Sequence, residues 1–323
     1  MAGQIYVYIA HKGGVIDDTA LELIAAAKKI DPAARPIAVV TGSGAELDQV
    51  CAEAAKSYSQ VVKLASPALA HPNAEVVRKA LLAILPKDAV ILMPHGYLGM
   101  DLSPGLSVKL DSTYVADAID LEKTADGKLK AVRQEYGGQV STHVLCRMDD
   151  GIVINVRPGA FSPDESRSAG GQVVDKSGEL GDLAASREFL ELVQAAVGDV
   201  DITKSDVLVA VGRGIGDQEN LEIAEELAAA VGGVVCCSRP IVDAKWLEKS
   251  RQVGTSGQTV KPKVYLACGI SGSFQHLGGI KGNPFIVAIN KNPKAPIFQV
   301  ADVGIVADVV EFLPELTERI QEG

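Results

Sequence analysis

The chain has 323 residues, 47% hydrophobic, 22% charged and only 4% aromatic, with a net charge of −10. That length exceeds one comfortable core, and the balance is that of a globular chain whose interior is aliphatic, as in α/β layers. The acidic charge, with no block of Lys or Arg able to track a phosphate backbone, argues against nucleic-acid binding. No apolar stretch reaches the roughly 18–20 residues that a membrane span requires, so no membrane insertion is expected. Met1-Ala2-Gly3-Gln4 enters a strand-like run with no leader-like features, so the expected location is cytoplasmic, or the chain is the mature form of an organelle protein. Of the five cysteines, three sit in apolar runs, and none forms a CxxC pair or a cluster with histidine, the pattern of buried thiols.

In chain order, strands are expected at Gln4–Ala10, Pro36–Thr41, Gln60–Leu64 and Ala89–Met93. Helices are expected between and after them at Ala20–Ile30, Glu46–Lys56 and Asn73–Leu85. Strands separated by helices of this length imply βαβ units and a parallel sheet. From Leu121 to Phe161 the texture changes to runs at Leu129–Gln134, Thr142–Met148 and Ile152–Arg157, punctuated by Asp126-Gly127, Gly137-Gly138 and Asp150-Gly151. Asp-Gly between apolar runs signals hairpins, so two or three antiparallel strands should extend the first sheet. Ser162–Asp182 reads as connector and Ser186–Val197 as helix, placing a domain boundary between 197 and 198.

The second domain opens with strand Asp206–Val211, then Gly212-Arg213-Gly214-Ile215-Gly216 and a helix from Asp217 to Val231. Further strands are expected at Gly233–Cys237, Val264–Cys268, Pro284–Ile289 and Asp302–Val306, with a final helix from Asp308. A strand, a glycine turn and a helix together make a phosphate-binding unit, because glycine lets the backbone approach and the helix N-terminus offers unpaired N–H groups. This arrangement occurs twice, at 206–217 and 264–276. Gly212–Gly216 departs from the GxGxxG spacing and serves equally as a tight structural turn. The second turn adds Ser271 and Ser273 among glycines, then Gln275 and His276 one turn later, residues that suit a pyrophosphate and a polar ring edge. Loop Gln252–Gly257 is polar and glycine-rich, with no evident core role, and Arg213 and Arg239 each follow a strand. Loops at the C-terminal ends of parallel strands are where such folds bind ligands. Asp111 and Asp117, or Glu225 and Glu226, could be cast as paired carboxylates, but a solvated helix face or a turn explains them better. No nucleophile elbow, HExxH or Walker lysine is present.

These motifs carry a resemblance. The segments Gly212-Arg213-Gly214, Ser238-Arg239 with Val242-Asp243, QVGTSG at 252–257, CGISGSFQHLGGI at 268–280, VAIN at 287–290 and APIFQVADVGIVAD at 295–308 resemble the alpha subunit of electron transfer flavoproteins. In the first half DLSP at 101–104, VADAIDLE at 115–122 and RPGAF at 157–161 match more weakly. The resemblance implies two Rossmann-like α/β domains with mainly parallel sheets. The first, 1–197, carries the added antiparallel strands and serves as a platform for a beta subunit; the second, 198–323, binds FAD. It implies FAD contacts from Arg213, Ser238, Arg239, Val253, Gly254, Thr255, Ser256, Ser271, Gly272, Ser273, Phe274, Gln275, His276, Asn290 and Asp308. Arg239 would lie beside the flavin ring, His276 near the pyrimidine carbonyl, and Ser256 would offer its hydroxyl to flavin N5 where many relatives carry threonine. Thr255 replaces a frequent glutamine, and Met100 and Gly105 stand where arginines are frequent, departures that bear on partner identity. The function implied is an electron carrier without a substrate of its own, docking transiently to an acyl-CoA dehydrogenase or similar redox enzyme, as a simple carrier or in an electron-bifurcating complex. An NAD-linked catalyst and a non-catalytic adenine-nucleotide module are the rival readings.

Overall fold

The computed structural model describes residues 3–136, 140–166, 170–191 and 200–322. They fall into two compact units divided between Leu190 and Glu191. The expected boundary at 197/198, the Gly137-Gly138 turn and the second half of the helix expected over Ser186–Val197 lie outside the described residues; 186–191 themselves are not helical.

In the first unit the strands are β1 (Ile5–Tyr8), the tiny hairpin β2 (His11–Lys12) and β3 (Val15–Ile16), β4 (Ile37–Gly42), β5 (Gln60–Ala65), β6 (Val90–Pro94), β7 (Thr113–Lys123), β8 (Leu129–Glu135), β9 (Val140–Cys146), β10 (Ile152–Val156) and β11 (Gln172–Asp175). The helices are α1 (Thr19–Ile30), α2 (Gly44–Ala54), α3 (Ala74–Ile84) and α4 (Tyr97–Leu110). Nine strands form one sheet in the order β11-β5-β4-β1-β6-β10-β7-β8-β9. From β11 to β7 the pairing is parallel, and β8 and β9 extend it as an antiparallel pair. Helices cover both faces. Leu23 and Ala27 of α1 with Leu47 and Val50 of α2 bury against one, and Ala80 and Leu81 of α3 with Leu102 and Leu106 of α4 belong to the core on the other. The central strands are buried on both sides, which is why they read as unbroken aliphatic runs.

Three expectations need correction. Ile152–Arg157 does not extend the sheet as an antiparallel strand: β10 runs parallel between β6 and β7, and all five of its residues are buried. Asp150-Gly151 is therefore a turn into the sheet interior, with Gly151 at φ +78° and an added Cβ only 2.2 Å from the Lys87 carbonyl oxygen. The Ser162–Asp182 stretch is not all connector, because β11 pairs in parallel with β5 as an edge. Helix α4 and the first half of β7 were not anticipated. In β7 two residues oppose Asn155, making a β-bulge that holds Asp117 at φ +56°. This is neither a turn nor a solvated face. The Asp117 carboxylate takes two bonds from Arg157, from Nε at 2.9 Å and Nη2 at 2.6 Å, while Arg157 Nη1 donates to Gln134 at 2.6 Å. The VADAIDLE and RPGAF segments thus meet in one bidentate ion pair.

The second unit contains β12 (Val207–Val211), α5 (Leu221–Ala230), β13 (Val234–Cys237), α6 (Arg239–Asp243), β14 (Val264–Cys268), α7 (Phe274–Leu277), β15 (Phe285–Ile289), β16 (Val303–Ile305) and α8 (Val309–Glu322). Its five strands are all parallel, in the order β13-β12-β14-β15-β16. Leu221, Ala224 and Leu227 of α5 and Val309 and Leu313 of α8 pack on one face. On the other, Leu208, Ala210, Tyr265 and Ala267 are covered by Val253, Val260 and Ile297, which come from loops. The helix expected from Asp217 begins only at Leu221, after two short 3-10 turns at Arg213–Ile215 and Gln218–Asn220. Among the described residues no helix is long and apolar enough to cross a membrane, and all five cysteines are free and buried.

Candidate cofactor site

The five strands of the second sheet end level. Val211 lies opposite Cys237 and Cys268, Cys268 opposite Ile289, and Ile289 opposite Ile305. The segments that leave them therefore share one edge: Gly212–Gly216, Ser238-Arg239, Gly269–Ser273, Asn290 and the approach to Asp308. The strand order reverses between β12 and β14, the place where open α/β sheets take ligands. There the two glycine turns touch backbone to backbone. Gly212 N donates to the Cys268 carbonyl at 2.9 Å and Gly214 N to the Gly269 carbonyl at 3.0 Å, and a Cβ on Gly214 would sit 2.5 Å from Gly269 Cα.

Beyond Gly269 the chain bends through Gly272, at φ +83°, where an added Cβ would meet Ile297 N at 2.3 Å. From there to the start of α7, the N–H groups of Ser271, Gly272, Ser273, Phe274 and Gln275 find no acceptor among the described residues. Ser271, Ser273, Phe274 and Gln275 are exposed. The 252–257 loop is tied in from both sides: Val253 N donates to the Cys237 carbonyl and Thr255 N to the Gln275 carbonyl, each at 2.8 Å. Only the tip of this loop is free of the core. Gln252, Val253 and Gly254 are buried, and Val253 belongs to the interior, which corrects the expectation that the loop has no core role.

Of the other expected residues, Ser238 is buried, with Oγ at 3.5 Å from the Val211 carbonyl, and Arg213 is exposed. Arg239 opens α6, with Nε 3.3 Å from Asp243. Asn290 braces the glycine turn: Nδ2 donates to the Ile270 carbonyl at 2.9 Å, and Oδ1 accepts from Asn292 N at 2.9 Å. Asp308 accepts from Val310 N at 3.1 Å, at the start of α8. His276 is, with Ser238, one of two expected residues that are both polar-chained and enclosed; it is 5% exposed, with Nε2 2.8 Å from the Tyr265 hydroxyl.

Residues 5–178 match the electron transfer flavoprotein domain, and residues 201–281 match the electron transfer flavoprotein FAD-binding domain. Protein FixB of Clostridium saccharobutylicum is 33% identical over 324 residues, covering 98% of this chain and 96% of its own. The electron transfer flavoprotein subunit alpha of Methylophilus methylotrophus is 33% identical over 322 residues, covering 98% and 99%. That of Megasphaera elsdenii is 38% identical over 262 residues, covering 79% and 78%. The chain belongs to the electron transfer flavoprotein alpha-subunit family. A thiamine diphosphate-dependent 4-hydroxybenzoylformate decarboxylase structure from Rhodococcus jostii RHA1 aligns with 98% of this chain and 59% of its own at 9% identity. Its TM-score of 0.24 carries no argument.

The site of this electron transfer flavoprotein chain fits FAD by the chemistry of its donors. Five consecutive unsatisfied N–H groups beside a short helix start suit a pyrophosphate. Gln252 Nε2 donates to Ser256 Oγ at 2.9 Å, which leaves the serine proton free to donate outward. His276 Nδ1 is buried against the Val253 backbone, without a hydrogen bond of good geometry among the described residues. Burial pushes the His276 imidazole down to about 4, against a smaller upward pull from the Val253 backbone, so the ring is neutral at neutral pH. Sequence reasoning missed the two residues that hold these groups, Gln252 and Tyr265. Gln252 had a signal, as the first residue of the QVGTSG loop. Tyr265, inside the aliphatic run of β14, had only its hydroxyl to mark it.

Proposed function

We propose that this electron transfer flavoprotein alpha chain holds FAD at the C-terminal edge of its second sheet and exchanges electrons through it with other redox proteins. The observation that carries the assignment is the unpaired N–H run from Ser271 to Gln275 at the strand-order switch. In this reading those amides and Arg213 bind the pyrophosphate, with Ser238, Asn290 and Asp308 along the same edge. Val253–Ser256 and Arg239 flank the ring system, with Ser256 as donor and Arg239 as a cation that favours the reduced anion. FAD, when bound, supplies reversible electron storage. The protein's part is to orient the cofactor, fix the charge around it and hold a neutral donor at His276.

The first unit serves as the platform for a beta subunit, and an acyl-CoA dehydrogenase or similar cytoplasmic enzyme exchanges electrons with the complex. Purified as an alpha–beta complex, the protein should be yellow and lose its visible flavin absorbance on reduction. A complex with no extractable flavin, or with AMP alone, overturns the reading. Two FAD per heterodimer would place it in a bifurcating complex, and one FAD with one AMP marks a simple carrier.

A further inference from the structure

Beneath the loops assigned to the flavin, Cys236 of β13, Tyr265 of β14 and His276 of α7 meet in the interior. Tyr265 and Cys236 are 0% exposed, so their hydroxyl and thiol are shielded from bulk solvent. The Tyr265 hydroxyl is 2.8 Å from His276 Nε2 and also interacts with the Cys236 thiol. The two rings lie 6.0 Å apart between centroids, tilted by 55°. We infer that Tyr265 is a positioning residue: it donates its proton to His276 Nε2 and so fixes the imidazole in the tautomer that carries its hydrogen on Nδ1.

Counting donors and acceptors decides between the two possible arrangements. If His276 carried its proton on Nε2 and donated it to Tyr265, the tyrosine proton would be left to the sulfur of Cys236, a weak acceptor. The bare Nδ1 lone pair would then sit near the Val253 backbone, whose influence on the ring favours a proton. If Tyr265 donates instead, it satisfies Nε2, a better acceptor than the Cys236 sulfur, and Nδ1–H points its positive end toward the Val253 backbone. Both ring nitrogens are then suitably placed: Nε2 accepts from Tyr265, and Nδ1–H faces the Val253 backbone, short of good hydrogen-bond geometry. A neutral histidine has one donor and one acceptor, so the acceptor's partner determines what the other nitrogen offers.

The consequence for the cofactor rests on the proposed FAD site. In that tautomer the Nδ1–H end lies against Val253, in the loop assigned to the flavin, so a tyrosine inside the sheet sets the polarity of the wall behind that loop. The loop and α7, which carries His276, are joined through the Thr255–Gln275 backbone bond.

The test is a long-range 1H–15N correlation spectrum of histidine-labelled alpha–beta complex. The expected wild-type result is a protonated Nδ1 and an acceptor-type Nε2 for His276, in a single tautomer. Tyr265→Phe should give a mixture of tautomers and a shift in the flavin reduction potential at unchanged FAD content. That shift should vanish when Tyr265→Phe is added to His276→Ala. Cys236→Ala should keep the wild-type tautomer, because the acceptor of the Tyr265 proton is His276 Nε2 and not the sulfur. A wild-type spectrum with the proton on Nε2 overturns the proposal, as does a Tyr265→Phe protein that keeps the single Nδ1–H tautomer, or a tautomer switch in Cys236→Ala. The wild-type spectrum decides even if a variant does not fold. A wild-type complex without flavin would refute the cofactor assignment while leaving the tautomer readable.

Discussion

His276 shows how one residue links burial to solution behaviour. Its folded pKa of about 4 lies below the ordinary value of 6.5, so the native state binds fewer protons than the unfolded chain in between. The histidine's contribution to stability is therefore complete above pH 6.5 and is lost as pH falls toward 4. The slope can approach about 1.4 kcal/mol per pH unit. Urea midpoints across this window should fall more steeply for wild type than for His276→Gln, and parallel curves would show that the ring is not held neutral by the fold. At this scale the sequence was only half informative. The position of His276, one turn beyond a glycine–serine loop, was enough to mark it. Its enclosure was not, because burial depends on Tyr265 and Val253, which are 11 and 23 residues away in the chain.

Among elements, the two glycine turns behave as one object. Gly214 and Gly269 meet so closely that an added Cβ on either collides with the other's backbone, at 2.5 Å from Gly269 Cα or 2.6 Å from Gly214 Cα. Gly214→Ala and Gly269→Ala should each cost on the order of 1–3 kcal/mol and weaken FAD retention. Together they should cost less than their sum, because either one alone already forces the turns apart. Thermal midpoints and flavin content of the three variants check this; strict additivity would mean that the turns are independent.

Elements were legible where physical chemistry is local. Four of the five strands of the second sheet were read from aliphatic runs because most of their residues are buried, and the fifth, β16, is an exposed edge. α4 was missed because Gly99, Pro104 and Gly105 interrupt its sequence, and Arg78 of α3 fills the space over Gly105. β11 was missed because it is short, three of its four residues are exposed, and its two valines are flanked by polar residues. β10 was misassigned because Asp150-Gly151 announces a turn without saying which strand the chain pairs with next.

At the scale of the whole chain, the division into two units has a thermodynamic signature. Each unit has its own sheet and its own buried clusters. Calorimetry should resolve two transitions, and added FAD should raise only the one belonging to residues 201–322, by mass action on its folded state. A single transition, or an equal shift of both, would show that the units unfold as one. The two-domain α/β plan was readable from composition and strand spacing, while the sharing of one sheet edge by five separate segments needed the topology.

The bracing of the glycine turn also bears on how the protein is made. Residues 269–273 are held by Asn290 through the Ile270 carbonyl and by Ile297 through the Ser271 carbonyl, both of which lie later in the chain. β15 pairs with β14 and β16 closes the sheet after it. A nascent chain that has emerged from the ribosome only as far as α7 has the glycine–serine loop but lacks the later residues that hold its shape. On the proposed FAD site, cofactor loading therefore waits until residues 290–305 have been made.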